Sequence, residues 1–437
     1  MDGDADVDKV VGPVLVLMRL LGLWPQAGRD RTGCLTGAVR RTLAFVPMAL
    51  MVVGSALKLC LDTPEQFEDI TLCAFITNVV AAILLKAVML VVQGGRLRQL
   101  SRLLAEAWAE FPEAAPGGST GTRGRYEALA DRMRLCFQVG GLAPLLCWLS
   151  APLVPRLTAA PGQRRRRQRQ LPIPAWMPTD VYASPAYELV YALQALGCAG
   201  ACAATICADS FFVRLLLLIA AELKVLNENI SSIRSTDPVR GDRGYTCRCR
   251  ETAVILPSAC EDCRNTSIPP SEKTADELHR QLVNIIRHHQ IIIRMVSLLQ
   301  EAMDVSIFVL LFANMANLCS SLFTAAILLQ EGGSMSKILK GLSPLPVVLY
   351  QTSLFCIFGH IVTDQSEELV NAAAGCQWAG CDVRFKRSLL IFMTAALRPL
   401  DITVGKVCPL SREMLLQVLN GTYALMNMFY YYHHKTK

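Results

Sequence analysis

The sequence is poor in charge: Asp, Glu, Lys and Arg make up only 18% of its 437 residues, against 52% hydrophobic residues. With a positive mean hydropathy of +0.36, that balance excludes a soluble globular domain and is that of a polytopic membrane protein. Catalytic signatures are missing as well. There is no H-E-x-x-H, no nucleotide-binding loop and no G-x-S-x-G. Binding coupled to conformational change is therefore expected, not enzymatic activity, with no cofactor and no metal ligands assigned. The start, MDGDADVDKV, is acidic and lacks the basic-then-apolar order of a signal peptide, so the first membrane helix is expected to direct insertion itself. The 17 cysteines are an odd number, and many lie inside apolar runs, where they act as small buried hydrophobes instead of a disulfide framework. The net charge of +7 does not imply nucleic acid, because the basic residues flank apolar segments.

What is present is a series of seven apolar segments, at about 42–62, 70–92, 135–155, 187–226, 303–329, 341–362 and 389–432. Each reaches the ~20 residues that a bilayer-spanning helix needs. The expected fold is all-α, with seven transmembrane helices. The fourth, from Tyr187 to Leu226, is too long for the membrane and is expected to project beyond it. With the N-terminus inside, the cytoplasmic segments 1–41, 94–133, 223–302 and 363–409 hold 28 Lys and Arg residues, and the outer segments hold 9. This places the N-terminus in the cytoplasm and the C-terminus outside. A G-protein-coupled receptor needs the opposite orientation. A transporter would show internal repeats or charges deep in the membrane, for which Asp209, near an inner end, is the main candidate.

The outer cluster Arg164 to Gln170, RRRRQRQ, reads as a solvated loop or an anion patch. Residues 234–270 are polar and aperiodic. Their Cys247, Cys249, Cys260 and Cys263 have a spacing that could suit zinc, but the reading adopted is an unstructured insertion. Thr274 and Glu277 form a capping box. After it Leu278, Leu282, Ile285, Ile286, Ile292, Ile293, Val296 and Leu299 recur at helical spacing. This amphipathic helix runs into the fifth span, and its stripe must bury against something cytoplasmic, for which the projecting end of the fourth segment and the first half of the seventh are available. His288 and His289 lie between its apolar turns and are read as structural.

The final stretch, Leu389 to Tyr432, is interrupted by Pro399 and Gly405, which a continuous helix does not accommodate well. Two helices are predicted, about 386–397 and 410–432, joined by a bend. In the second, Gln417, Asn420, Ala424, Asn427 and Tyr431 share one face. A polar stripe on a membrane helix faces water, as in a pore, or bonds to another helix.

The order R-P-L-x-I-T-x-G-K, then P-L-S-x-E, then V-L-x-x-x-Y resembles the C-terminal signature of insect odorant receptors. It is carried by Arg398 to Leu400, Ile402, Thr403, Gly405, Lys406, Pro409 to Ser411, Glu413, Val418, Leu419 and Tyr423. The related gustatory family ends in T-Y, five apolar residues, then Q-F; Thr422 and Tyr423 fit its start, but Phe429 and Tyr430 stand where Gln-Phe belongs. Ser184-Pro185 with Tyr187, Tyr191, Gln194 and Asp209 resembles the odorant family's fourth span. Cys356, Gly359, Gln365, Ser366, Leu369 and Trp378 resemble its sixth span and the loop after it. The family usually has Glu after that Gly, where this chain has His360. The resemblance is clear over roughly 184–230 and 275–429.

The resemblance implies a variable, odorant-tuning subunit of a ligand-gated non-selective cation channel in the plasma membrane of olfactory neurons. Its partners would be the shared olfactory co-receptor in a heterotetramer, volatile odorants, cations and the lipid bilayer. A gustatory channel is the alternative, and a G-protein-coupled receptor the more distant one. By this resemblance the odorant binds in the outer halves of spans two, three, four and six. The candidates are Phe75, Asn78, Gly141, Pro144, Trp148, Tyr187, Tyr191, Gln194, Tyr350 and Ser353, with ordinary helix packing as the competing account. Pore candidates are Gln417, Asn420, Ala424, Asn427, Met428, Tyr431 and Tyr432, the last three at the outer constriction. The chain then divides into a cytoplasmic N-terminus (1–41), spans one to four with the odorant site (42–230), a variable cytoplasmic insertion (231–273), the anchor helix with spans five to seven and the pore (274–432), and an extracellular tail (433–437).

Overall fold

The computed structural model describes residues 2–24, 31–64, 67–113, 121–150, 171–176, 183–233, 270–330, 342, 345–406 and 408–436. The arginine cluster at 164–169 and the cysteine quartet between 247 and 263 lie outside the described residues. In chain order the helices are α1 (Asp2–Val11), α2 (Val14–Leu20), α3 (Arg31–Leu61), α4 (Phe67–Val92), α5 (Gly94–Glu110), α6 (Thr122–Ser150), α7 (Ala186–Ser231), α8 (Pro270–Gln330), α9 (Leu345–Gly375), α10 (Val383–Ala396) and α11 (Arg412–Thr436). Strands β1 (Thr403–Val404) and β2 (Cys408–Pro409) form a small antiparallel hairpin between α10 and α11. Five helices combine the length and apolarity of a membrane span: α3, α4, α7, α8 and α9. Helices α6 and α11, of 29 and 25 residues, are long enough as well. The chain is thus a mostly helical, multi-pass membrane protein.

Helix α7 is the axis of the bundle. Between Ile206 and Val225 its aliphatic and aromatic residues are almost all buried, Phe211, Phe212, Leu216, Leu218 and Ile219 completely so. A helix apolar all round belongs in the middle of a bundle. Its outer half is instead lined with small residues that let neighbours approach. A Cβ at Gly197 would lie 3.2 Å from the Pro47 carbonyl of α3, and one at Gly141 of α6 would lie 3.0 Å from Ile206. Close backbone approach at small residues is the ordinary way membrane helices associate.

The end of the bundle predicted to be cytoplasmic is termed the inner end. There the stripe beginning at Leu278 is buried at Leu282, Ile285, Ile292, Val296 and Leu299, whereas Ile293 is exposed. It meets the chain's own helices, α5, α7 and α10. Glu222 of α7, fully buried, accepts a two-pronged bond from Arg123 (2.7 and 2.8 Å) and lies 2.9 Å from His288 Nε2. His288 stacks on Phe111 at 4.3 Å, and His289 meets the edge of Phe392 at 5.3 Å. Burial, then the charge of His288, brings His289 down to about 4, so it packs as a neutral ring.

Two inner elements go beyond the sequence reading. Residues 94–133, read from the sequence only as a cytoplasmic segment, contain α5 and the first turns of α6. The apolar positions Leu97, Leu100, Leu104 and Ala107 are all fully buried, a 3-4-3 spacing that makes α5 an amphipathic cap on the inner bundle. The N-terminal segment likewise forms α1 and α2, which bury Val10, Val11, Val14 and Met18. Arg214 of α7 fixes it by donating to the Val10 carbonyl at 2.6 Å, while its other nitrogens reach Glu127 and Asp131 at 3.3 and 3.4 Å. Gly12, at φ +70°, passes so close to that guanidinium that a Cβ would sit 2.8 Å from it.

The predicted bend in the last stretch is the hairpin. Gly405 and Lys406 both adopt positive φ, which Gly allows without steric cost. Leu410 N donates to Ile402 O at 2.7 Å, and Gln300 of α8 donates to Thr403. Helix α9 presses on it at Gly359, where a Cβ would be 2.6 Å from Leu410 Cβ. His360 lies 3.3 Å from Asp364, which also reaches toward Arg412 at 3.9 Å. A carboxylate one turn further along α9 therefore stands near the start of α11.

Candidate functional site

In the outer half of the bundle the short segment 171–176, Leu-Pro-Ile-Pro-Ala-Trp, lies between α3 and α7. Prolines keep it extended, and its polar backbone must bond to side chains and to neighbouring backbone. Gln194 supplies two bonds: its amide donates to Ile173 O at 3.0 Å and its carbonyl accepts from Ile173 N at 3.2 Å. Ser55 donates to Pro174 O at 3.3 Å, and Trp176 N donates to Gly54 O at 3.0 Å. So held, Ile173 is buried in a small apolar cluster with Met48, Met51, Ile76, Val80 and Ala201, against which Phe75 and Trp148 pack.

Phe75, Trp148 and Gln194 are thus brought together around Ile173. Tyr187 and Tyr191 sit further out on α7 with ring centroids 5.9 Å apart, and Tyr191 OH donates to Leu149 O at 2.6 Å. Gly141 is a helix-contact position, with Cys202 Sγ 3.4 Å from its carbonyl. Pro144 lies within α6, its side chain outside the described residues. Tyr350, exposed, meets Phe137 edge-on at 5.9 Å, and Ser353 one turn inward is half-buried. Asn78 is engaged by α8. Its amide donates to Ala313 O at 3.2 Å and to Asn317 Oδ1 at 3.0 Å on α8.

Sequence reading left out Met48, Met51, Ile173 and Asn317. The first two carry no mark that separates them from the rest of their apolar segment, and nothing in residues 171–176 announces that an isoleucine will enter the bundle. The α8 residues had a signal: Asn314, Asn317, Ser321 and Thr324 recur at 3-4-3 spacing, and all are buried. Asn314 donates to Thr352 at 3.1 Å and Gln351 at 3.4 Å, and Gln351 donates to Asp209 at 2.7 Å. Asp209 also forms a buried ion pair with Lys86.

Helix α11 has two faces. Val418, Gly421, Thr422, Leu425 and Met426 turn toward the chain; a Cβ at Gly421 would sit 3.6 Å from Met315 of α8. Gln417, Asn420, Ala424, Asn427, Met428 and Tyr431 are exposed on the other side, together with Leu416, Leu419 and Tyr423. Tyr432 belongs to the helix, with its side chain outside the described residues. The stripe of amides therefore points away from this chain's own helices.

A family model described as 7tm Odorant receptor matches residues 66–423. Odorant receptor 10 of Aedes albopictus is 25% identical over 261 residues, 60% of this chain and 60% of that protein. Odorant receptor 19a of Drosophila melanogaster is 24% identical over 147 residues, 34% of this chain and 37% of that one. The matched stretches thus span less than two thirds of these relatives. The insect olfactory receptor OR5 from Machilis hrabei, solved in complex with eugenol, covers 98% of this chain and 99% of its own, with a TM-score of 0.73 and 16% identity. That likeness establishes the shared fold.

Proposed function

The chain belongs to the 7tm odorant receptor family, and on that premise we propose that it is an odorant-tuning subunit of a ligand-gated, non-selective cation channel. It would work in the plasma membrane, in a heterotetramer with the shared olfactory co-receptor. The observation that carries this reading is the outward-facing stripe Gln417, Asn420, Ala424, Asn427 and Tyr431 on α11. An amide left in hydrocarbon is costly, so such a stripe needs water or a neighbouring subunit. Several copies of one helix around an axis supply both.

Small volatile molecules would bind in the outer bundle, around Phe75, Trp148, Ile173 and the α7 tyrosines. Largely apolar walls with few polar groups suit such ligands. Helix α8 links the two regions, because Asn317 meets α4 while Met315 and Gln330 meet α11. Ligand preference for one arrangement of α4 and α8 would thereby bias the pore helix. The test is co-expression with an insect co-receptor and recording across an odorant panel. Odorant-evoked cation current that needs both chains is expected. Odorant responses routed through a G protein, with no current through the complex, would refute the proposal.

A further inference from the structure

Asn317 holds a buried amide nitrogen with no hydrogen-bond partner among the described residues. It is 3% exposed, on the outer half of α8, facing α4. Its Oδ1 accepts from Asn78, which fixes the amide's orientation and leaves Nδ2 as a buried donor with no hydrogen-bond partner among the described residues. The neighbouring polar groups are differently placed. Asn314, one turn inward, donates to Thr352 and Gln351, and Thr324 donates to the Ser320 carbonyl of its own helix. A buried donor without a partner costs about 1–3 kcal/mol, so it calls for a function. Asn78, the residue that orients it, is half-buried, and Phe75 stands one turn outward on the same helix.

We propose that Asn317 is the polar anchor of the ligand site: its Nδ2 donates to an oxygen acceptor on the ligand, with Asn78 as its positioning residue. This rests on the reading of the outer bundle as the odorant site and narrows its ligand class. The favoured ligands are small apolar molecules carrying one ketone, ester or ether oxygen, not plain hydrocarbons. A neutral ligand matched to the donor gains a hydrogen bond where water is absent, and a hydrocarbon of the same shape leaves the donor buried and unsatisfied. Discrimination of about tenfold is expected, equivalent to about 1.4 kcal/mol.

The experiment uses the full chain in lipid nanodiscs. A ketone, an ester and an ether are each paired with the hydrocarbon of the same skeleton, and affinity is read from ligand-induced shifts in thermal unfolding. The wild type should favour the oxygenated member of each pair by about tenfold. Asn317→Leu should bring that ratio close to one by weakening the oxygenated ligands alone. Should the leucine variant fail to fold, Asn317→Thr and Asn317→Val form an isosteric pair differing by one donor, and only the threonine variant should keep a preference. Equal affinity within the wild-type pairs, or a preference unchanged in the leucine and valine variants, overturns the anchor. Current recorded with the co-receptor separates this from the channel reading. Selective binding without current supports the anchor and refutes the channel; odorant-evoked current without selectivity does the reverse.

Discussion

Lys86 of α4 and Asp209 of α7 form an ion pair with 4% and 2% of their side chains exposed. Gln351 of α9 donates to the second carboxylate oxygen at 2.7 Å, and the Lys86 ammonium lies 5.4 Å from the Phe355 ring centre. Three spans thus converge on one carboxylate. Removing one partner of such a pair strands a buried charge, whereas replacing both by apolar groups is often neutral. Lys86→Met should therefore destabilise the protein by about 3–5 kcal/mol, and Lys86→Met with Asp209→Leu should recover most of it. Thermal unfolding of the purified single and double variants checks this. Equal losses in both would show that the pair does not act as a unit.

The clasp of Gln194 on Ile173 predicts a change in ligand response. Gln194→Leu leaves both backbone groups of Ile173 without their side-chain partner, a loss of about 1–3 kcal/mol for each. Segment 171–176 should loosen over the apolar cluster, and odorant potency should shift while surface expression is retained. Concentration–response curves, alongside surface biotinylation, measure the two separately.

The two faces of α11 make accessibility predictions. Cysteines introduced as Ala424→Cys, Asn427→Cys and Tyr431→Cys should react with a water-soluble thiol reagent applied outside and alter odorant-evoked current. Cysteines at Val418 and Leu425, which turn toward the chain, should not. Uniform reactivity, or current unaffected at every position, would leave the amide stripe as contact between subunits.

At Gly359 a methyl group has no room, because its carbon would lie 2.6 Å from Leu410 Cβ and 3.0 Å from the Leu410 carbonyl. Gly359→Ala should cost about 1–3 kcal/mol by pushing α9 from the hairpin that starts α11. The expected readout is a lower unfolding temperature with altered basal current. Gly375, where a Cβ would meet nothing within 4 Å among the described residues, is the control, and Gly375→Ala should leave both unchanged.

Orientation is tested by glycosylation. Asn229 begins an Asn-Ile-Ser sequon at the inner end of α7, where its amide donates to Pro112 O at 3.3 Å. The loop charges predict a cytoplasmic location for this end, so an endoglycosidase should leave the protein's mobility unchanged. A shift abolished by Asn229→Gln would reverse the topology.

The sequence alone determined what depends on local pattern. Apolar runs of bilayer length specified the spans, since an unbroken helix is the economical way for one segment to cross hydrocarbon with its backbone bonded. Pro399 and Gly405 marked the break before α11, because neither suits a helix interior. Tertiary structure decided which faces meet. The stripe from Leu282 to Leu299 suited a partner subunit as well as the ends of the fourth and seventh segments; it buries in this chain, where α7 projects inward and α10, with the unforeseen α5, closes around it. Helix α5 was legible in its Leu97, Leu100, Leu104 spacing, but its length fell below that of a span. The entry of Ile173 into the outer bundle and the pairing of Asn78 with Asn317 were not legible. Each joins residues that lie far apart in the chain, 239 positions in the second case, and a contact of that range leaves no periodic trace in a single sequence.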